Sequence, residues 1–229
     1  MAETDAAREP NRDLARDLNR SVEIAAQAHQ RLLAALDELI ERDALDVAAP
    51  SLLPDWTKGH VLTHITNSGE GHCEIFDAAM RGEVGAQYPH GPEGRAADIE
   101  AGATRLAPEQ RDALRQSIWK LEGRWAASNW QGKGITPNGG EVAVRDLPFL
   151  RIREVAIHHI DLDIGYGFED LPAEYLRLEL GRMEMLWKAR QPMGLTPLPS
   201  VALALAPPQR LAWLMGRTVV DGLDPASIY

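Results

Sequence analysis

Apolar residues recur every three or four positions in Leu14, Leu18, Val22, Ala25, His29, Leu32, Leu36 and Leu39. Sustained over about seven turns, this stripe specifies a long amphipathic helix. His29 falls on its apolar face. There it reads as a core histidine, satisfied by hydrogen bonds, rather than as a pocket group. The polar residues 1–11 before the stripe are expected to fray.

Residues 43–56 hold Pro50 and Pro54 and read as a loop. Thr57 is a good N-cap, with Trp56 and Val61 placed for a hydrophobic staple. A second helix then runs to about Met80, with Val61, Ile65, Cys73, Phe76 and Met80 inward. Gly82 to Gly94 reads as a loop. Residues 95–130 read as helix broken at Pro108, with Leu114, Ile118, Leu121 and Trp125 repeating every three or four positions. Gly132 to Arg145 carries Asn138-Gly139, a hairpin signal. Gly165-Tyr166-Gly167 and Pro172 mark a boundary. Beyond it, 173–190 reads as helix, Val201 to Ala206 as a strand and Gln209 to Met215 as a short helix. The expected fold is mainly α, with a helical bundle to about residue 170 and a small mixed region after it.

The chain has 229 residues and a formal net charge of -10, with no long basic run. That argues against nucleic acid or an anionic membrane surface as the main partner. No apolar run approaches the ~20 residues of a membrane span. The N-terminus has no apolar signal-peptide core, and the single cysteine, Cys73, excludes an intramolecular disulfide. A cytoplasmic location is expected.

Two stretches carry chemistry: Trp56-Thr57-Lys58-Gly59-His60-Val61-Leu62-Thr63-His64 and Arg153-Glu154-Val155-Ala156-Ile157-His158-His159-Ile160-Asp161. Glu154 and His158 are four apart. Ile160, Leu162 and Ile164 alternate as a strand would, so the element holding the pair is ambiguous. A separation of four shares one face in a helix and in a strand alike. His60 and His64 are one turn apart on the second helix, and either or both can join the pair. Two neutral imidazoles, one carboxylate and an open position make a catalytic metal site, whereas four protein ligands would make a closed, structural one. Cys73, nine residues past His64, lies about 180° round the helix and reads as core. His72 is off the ligand face, His90 lies in the presumed loop, and His159 points away from His158. Asp161 can hold the second ring nitrogen of a ligand histidine; its plainer reading is a solvated charge.

At these residues the chain resembles the mycothiol-dependent maleylpyruvate isomerase family, within the DinB-like metal-binding superfamily. The resemblance rests on Leu53-Pro54-Asp55-Trp56-Thr57-Lys58-Gly59-His60-Val61-Leu62-Thr63-His64, on Arg153-Glu154-Val155-x-x-His158-x-x-Asp161-Leu162, and on Gly216-Arg217. It implies a DinB-like four-helix bundle over residues 12–170 and a small α/β domain over 171–229, packed over the site. It implies a divalent metal, usually zinc, on His64, Glu154 and His158, with His60 left out and Arg217 tied to activity. The chain departs from the family pattern at Ser68, where asparagine is frequent, and in its short Pro-rich segment between Arg190 and Pro207.

The implied reaction is the cis–trans isomerisation of maleylpyruvate to fumarylpyruvate, with mycothiol as the thiol cofactor. A thiolate adds to the cis double bond, the resulting single bond rotates, and elimination restores a trans double bond. Cys73 is badly placed to supply the sulfur, so the thiol comes from outside. Arg217 suits an enolate or a substrate carboxylate, and Arg81, Arg151 and Arg153 are weaker candidates. The expected partners are a small anionic electrophile and a small thiol. The competing readings are a thiol S-transferase on the same scaffold and a non-catalytic binding or stress protein, because fold does not fix function.

Overall fold

The computed structural model describes residues 17–190 and 196–226. Segment 1–11 and Leu14 lie outside them. The chain divides into two compact units between Ile164 and Gly165.

In the first unit, helices α1 (Leu18–Glu41), α2 (Lys58–Met80), α4 (Ala107–Ala127) and α5 (Leu147–Asp161) form a four-helix bundle. The α1 stripe faces inward, with Ala25, His29, Leu32 and Leu36 buried. Ala28, Leu32, Leu33 and Leu36 of α1 join Val61, Leu62 and Ile65 of α2, Leu114 and Ile118 of α4 and Val155 of α5 in one apolar core. Each fully buried aliphatic chain contributes about 1.5–3 kcal/mol to such a core, so this packing holds the bundle together.

Helix α2 starts at Thr57, whose Oγ1 accepts from the His60 N–H. His60 Nδ1 accepts in turn from the Thr57 N–H at 3.1 Å, so a histidine closes a capping box usually closed by Glu or Gln. Helix α3 (Gly91–Ala103) packs on α2. Gly59 permits that approach, because a Cβ there would lie 2.0 Å from the Ala103 carbonyl oxygen. Buried Gln110 of α4 reinforces it, donating to the Gly102 carbonyl at 2.8 Å and to Thr63 Oγ1 at 3.3 Å.

Several expectations need correction. Met80, read as inward, is exposed; it is the last residue of α2. The break near Pro108 falls at 104–106, and Pro108 sits in the first turn of α4, where its missing N–H costs no helix bond. The Asn138-Gly139 signal does join two antiparallel strands, β2 (Lys133–Ile135) and β3 (Glu141–Ala143). The presumed loop 82–94 supplies a third, β1 (Gly85–Ala86), parallel to β2, and then the start of α3. The ambiguous element is a helix, α5.

The second unit holds helices α6 (Ala173–Ala189), α7 (Ser200–Ala204) and α8 (Pro207–Leu214). Trp187 and Trp213 pack with ring centroids 4.9 Å apart, and Arg210 pairs with Glu184 at 2.8 Å. The strand expected at Val201–Ala206 is therefore wrong. Ala and Leu favour helix once Pro199 and Pro207 bracket the segment. Among the described residues of this unit there is no strand, and the fold is mainly α with its small sheet in the first unit. No described helix is long and apolar enough to cross a membrane.

Candidate metal centre

Helices α2 and α5 bring His64, Glu154 and His158 together, with one potential ligand atom from each within 4.8 Å of the others. His64 Nε2 lies 3.1 Å from Glu154 Oε2 and 3.1 Å from His158 Nε2, and His158 Nε2 lies 4.0 Å from Glu154 Oε2. Bonds of about 2.0–2.1 Å to a tetrahedral zinc ion put ligand atoms roughly 3.3 Å apart. The three separations straddle that spacing, so this donor set fits such an ion and leaves a fourth position open.

The protonation states suit the same end. Burial pushes the His64 imidazole below its ordinary pKa, outweighing the hydrogen bond and charge of Glu154, so the ring is neutral at pH 7. Burial alone would raise the Glu154 carboxyl. The His64 hydrogen bond and the charges of His64, His158 and His72 outweigh it and hold Glu154 well below the usual carboxylate range. The buried Asp161 carboxylate lies 2.8 Å from His158 Nδ1. It thereby directs the Nε2 lone pair toward the cluster.

The other sequence candidates are placed elsewhere. His60 is occupied by the α2 cap and approaches exposed Glu100 at 3.4 Å, so of the two candidate ligands on α2, His60 and His64, only His64 meets the pair. Cys73 is buried, and burial pushes its thiol up to about 11, which makes it a poor nucleophile. His90 is exposed and His159 is buried. Arg81 is exposed and pairs with Glu83, while Arg153 lies half-buried on α5. Arg151, expected among solvated arginines, is fully buried. Its Nε donates to His29 Nε2 at 3.0 Å and its Nη1 to the Ile65 carbonyl at 2.9 Å. His29 is thus the satisfied core histidine expected, its Nδ1 lying 2.8 Å from Glu122 Oε1. Ser68 Oγ, His72 Nδ1 and Arg151 Nη2 are buried without hydrogen-bond partners among the described residues.

Arg217 lies in the second unit. The chain there leaves α8 through a Schellman turn, with the Arg217 N–H on the Ala212 carbonyl, the Gly216 N–H on the Trp213 carbonyl, and Gly216 at φ +71°. That left-handed conformation is why glycine precedes the arginine. Arg217 Nη1 donates to the Met215 carbonyl at 2.7 Å.

Two contacts of the triad are not foreseen by the sequence reading. Trp56 sets its ring edge against His64, with centroids 5.6 Å apart. Arg95, on α3, places Nη2 3.1 Å from His64 Nδ1. No spacing rule links position 95 to position 64, since only the packing of α3 on α2 joins them.

Residues 24–163 match the model of the mycothiol maleylpyruvate isomerase N-terminal domain. The chain belongs to this family. Two solved structures share the family fold with a TM-score of 0.74 each: the mycothiol-dependent maleylpyruvate isomerase and a histidine-to-alanine mutant of it. They are 22% and 21% identical to this chain, over 88% of it and 90% of theirs, a likeness that speaks for the fold. No curated protein matches the chain by sequence. The matched region contains all of His64, Glu154, His158, Asp161 and Arg95.

Proposed function

We propose that this protein catalyses the mycothiol-dependent isomerisation of maleylpyruvate to fumarylpyruvate, at a divalent metal, zinc by its donor set, held by His64, Glu154 and His158. The observation that carries the reading is the convergence of two imidazoles and an ionised carboxylate at zinc-ligand spacing, in a family member. Such an ion, when bound, supplies the positive charge that holds a thiol as thiolate at neutral pH. The thiol supplies the nucleophile: its addition turns the cis double bond into a single bond that can rotate, and its elimination restores a trans double bond and releases the thiol.

The chain's own residues do the rest. Glu154 brings the only negative charge to the ligand set, so a divalent ion there keeps net positive charge for an anionic sulfur. Asp161 orients His158. Cys73, buried and protonated at neutral pH, does not compete as nucleophile. Arg217 is the candidate for gripping a substrate carboxylate or an enolate oxygen, through its guanidinium fork. A cytoplasmic location suits a chain with one buried, unpaired thiol.

The deciding experiment incubates the protein with zinc, mycothiol and maleylpyruvate, and follows fumarylpyruvate while metal is quantified. Thiol-dependent fumarylpyruvate formation with about one zinc per chain supports the proposal. A stable thiol adduct without fumarylpyruvate would point to an S-transferase. Absence of stoichiometric metal, with no change on His64→Ala, would point to a non-catalytic binding protein.

A further inference from the structure

The two candidate histidine ligands are prepared in opposite ways. His158 has its Nδ1 on a carboxylate oxygen of Asp161 at 2.8 Å, so Nδ1 carries the proton and Nε2 is ready to ligate. His64 has its Nδ1 on Arg95 Nη2 at 3.1 Å. A guanidinium only donates, so this contact needs the lone pair on Nδ1 and the ring proton on Nε2. Nε2 is the atom that faces Glu154 Oε2 and His158 Nε2, each at 3.1 Å. Its proton thus points where an ion would sit.

Ligation through Nε2 takes the lone pair there and leaves the proton on Nδ1. Two donors would then face each other across the Arg95–His64 contact. That contact and an Nε2-ligated ion exclude one another, so filling the triad must release Arg95. No carboxylate pairs with Arg95 among the described residues; its guanidinium carbon lies 5.4 Å from the Tyr88 ring centroid. Arg95 is half-buried, in a chain of net charge -10. Once released, its donors are free for an anion, and the fork geometry suits a carboxylate.

We infer that Arg95 is a metal-released carboxylate-binding residue. In the metal-free protein it hydrogen-bonds His64, and in the metal-loaded protein it grips a carboxylate of the substrate beside the open position. This rests on the metal reading above.

The test uses the full chain and Arg95→Gln, whose amide accepts from a protonated Nδ1 as readily as it donates to a bare one. Zinc affinity is measured by competition with a chromophoric chelator, without substrate. Arg95→Gln is expected to bind zinc about tenfold more tightly, the worth of one charge-assisted hydrogen bond no longer broken on loading. In the zinc-saturated protein, KM for maleylpyruvate is expected to rise by about tenfold or more, outstripping any fall in kcat. Unchanged or weaker zinc binding in a variant with native circular dichroism overturns the inference, as does an unchanged KM. Wild-type protein that takes up no zinc overturns the metal reading and this inference together. Wild type whose measurable zinc affinity the substitution does not alter overturns this inference alone.

Discussion

His158 Nδ1 and Asp161 Oδ2 lie 2.8 Å apart, one turn from each other on α5, with the carboxylate fully buried. A buried carboxylate on a ligand histidine fixes the ring's tautomer and raises its basicity. Asp161→Asn retains the shape but loses the charge. Zinc affinity is expected to fall about 10–100-fold, read by chelator competition, with helical content unchanged by circular dichroism. Unaltered affinity would mean that Asp161 serves only the fold, where its backbone carbonyl already accepts from the Leu52 N–H.

The ligand set itself makes a contrast between neighbours. Glu154→Ala removes the only carboxylate of the triad, so it is expected to abolish both bound zinc and turnover. His60→Ala is expected to retain zinc, because the His60 ring is engaged in the α2 cap. Its cost is about 1 kcal/mol of stability from the broken capping box, seen as a lower urea midpoint. Retained zinc in Glu154→Ala, measured by atomic absorption on purified protein, would count heavily against the ligand assignment.

How far the site is legible before folding follows from its geometry. Glu154 and His158 share a face in helix or strand alike, so the pair survives doubt about the backbone. The choice between His60 and His64 does not follow from spacing, since both sit on one face of α2. The cap decides it, because His60 closes the box with Thr57. Arg95 is invisible along the chain, since its approach to His64 depends on how α3 docks across Gly59 and Gly102. At 201–206 the alternation of Val201, Leu203 and Leu205 mimics a strand, but helix-favouring residues between two prolines win. Arg151 misleads for a different reason. Composition says arginines are solvated, and only the packed bundle reveals a buried cation held by His29 and Ile65.

That buried cation is costly to disturb. Burial lowers the Arg151 guanidinium to about 10, which still leaves it charged at neutral pH. Arg151→Ala would strip the donors from His29 Nε2 and the Ile65 carbonyl and open a hole beside Gly69, where Arg151 Nη2 would lie 3.2 Å from an added Cβ. The expected loss is about 3–5 kcal/mol, the usual cost of breaking a buried charged network. Equilibrium urea unfolding measures it. A loss under about 1 kcal/mol would show that water replaces the guanidinium without penalty.

His29 gives the bundle a predictable acid sensitivity. Its pKa is lowered from 6.5 to about 4, chiefly by burial, which outweighs the hydrogen bond to Glu122. In the unfolded chain the imidazole takes up its proton near pH 6.5, while in the folded chain it stays neutral down to about pH 4. Between those values the unfolded state binds more protons, so stability falls as pH falls. The full shift corresponds to roughly 3 kcal/mol, lost progressively from about pH 6.5 to pH 4. Urea unfolding at stepped pH should show this slope in the metal-free protein, and His29→Gln should flatten it while lowering stability at pH 7. An unchanged slope in His29→Gln would mean that other groups, with buried His72 the first to examine, carry the acid response.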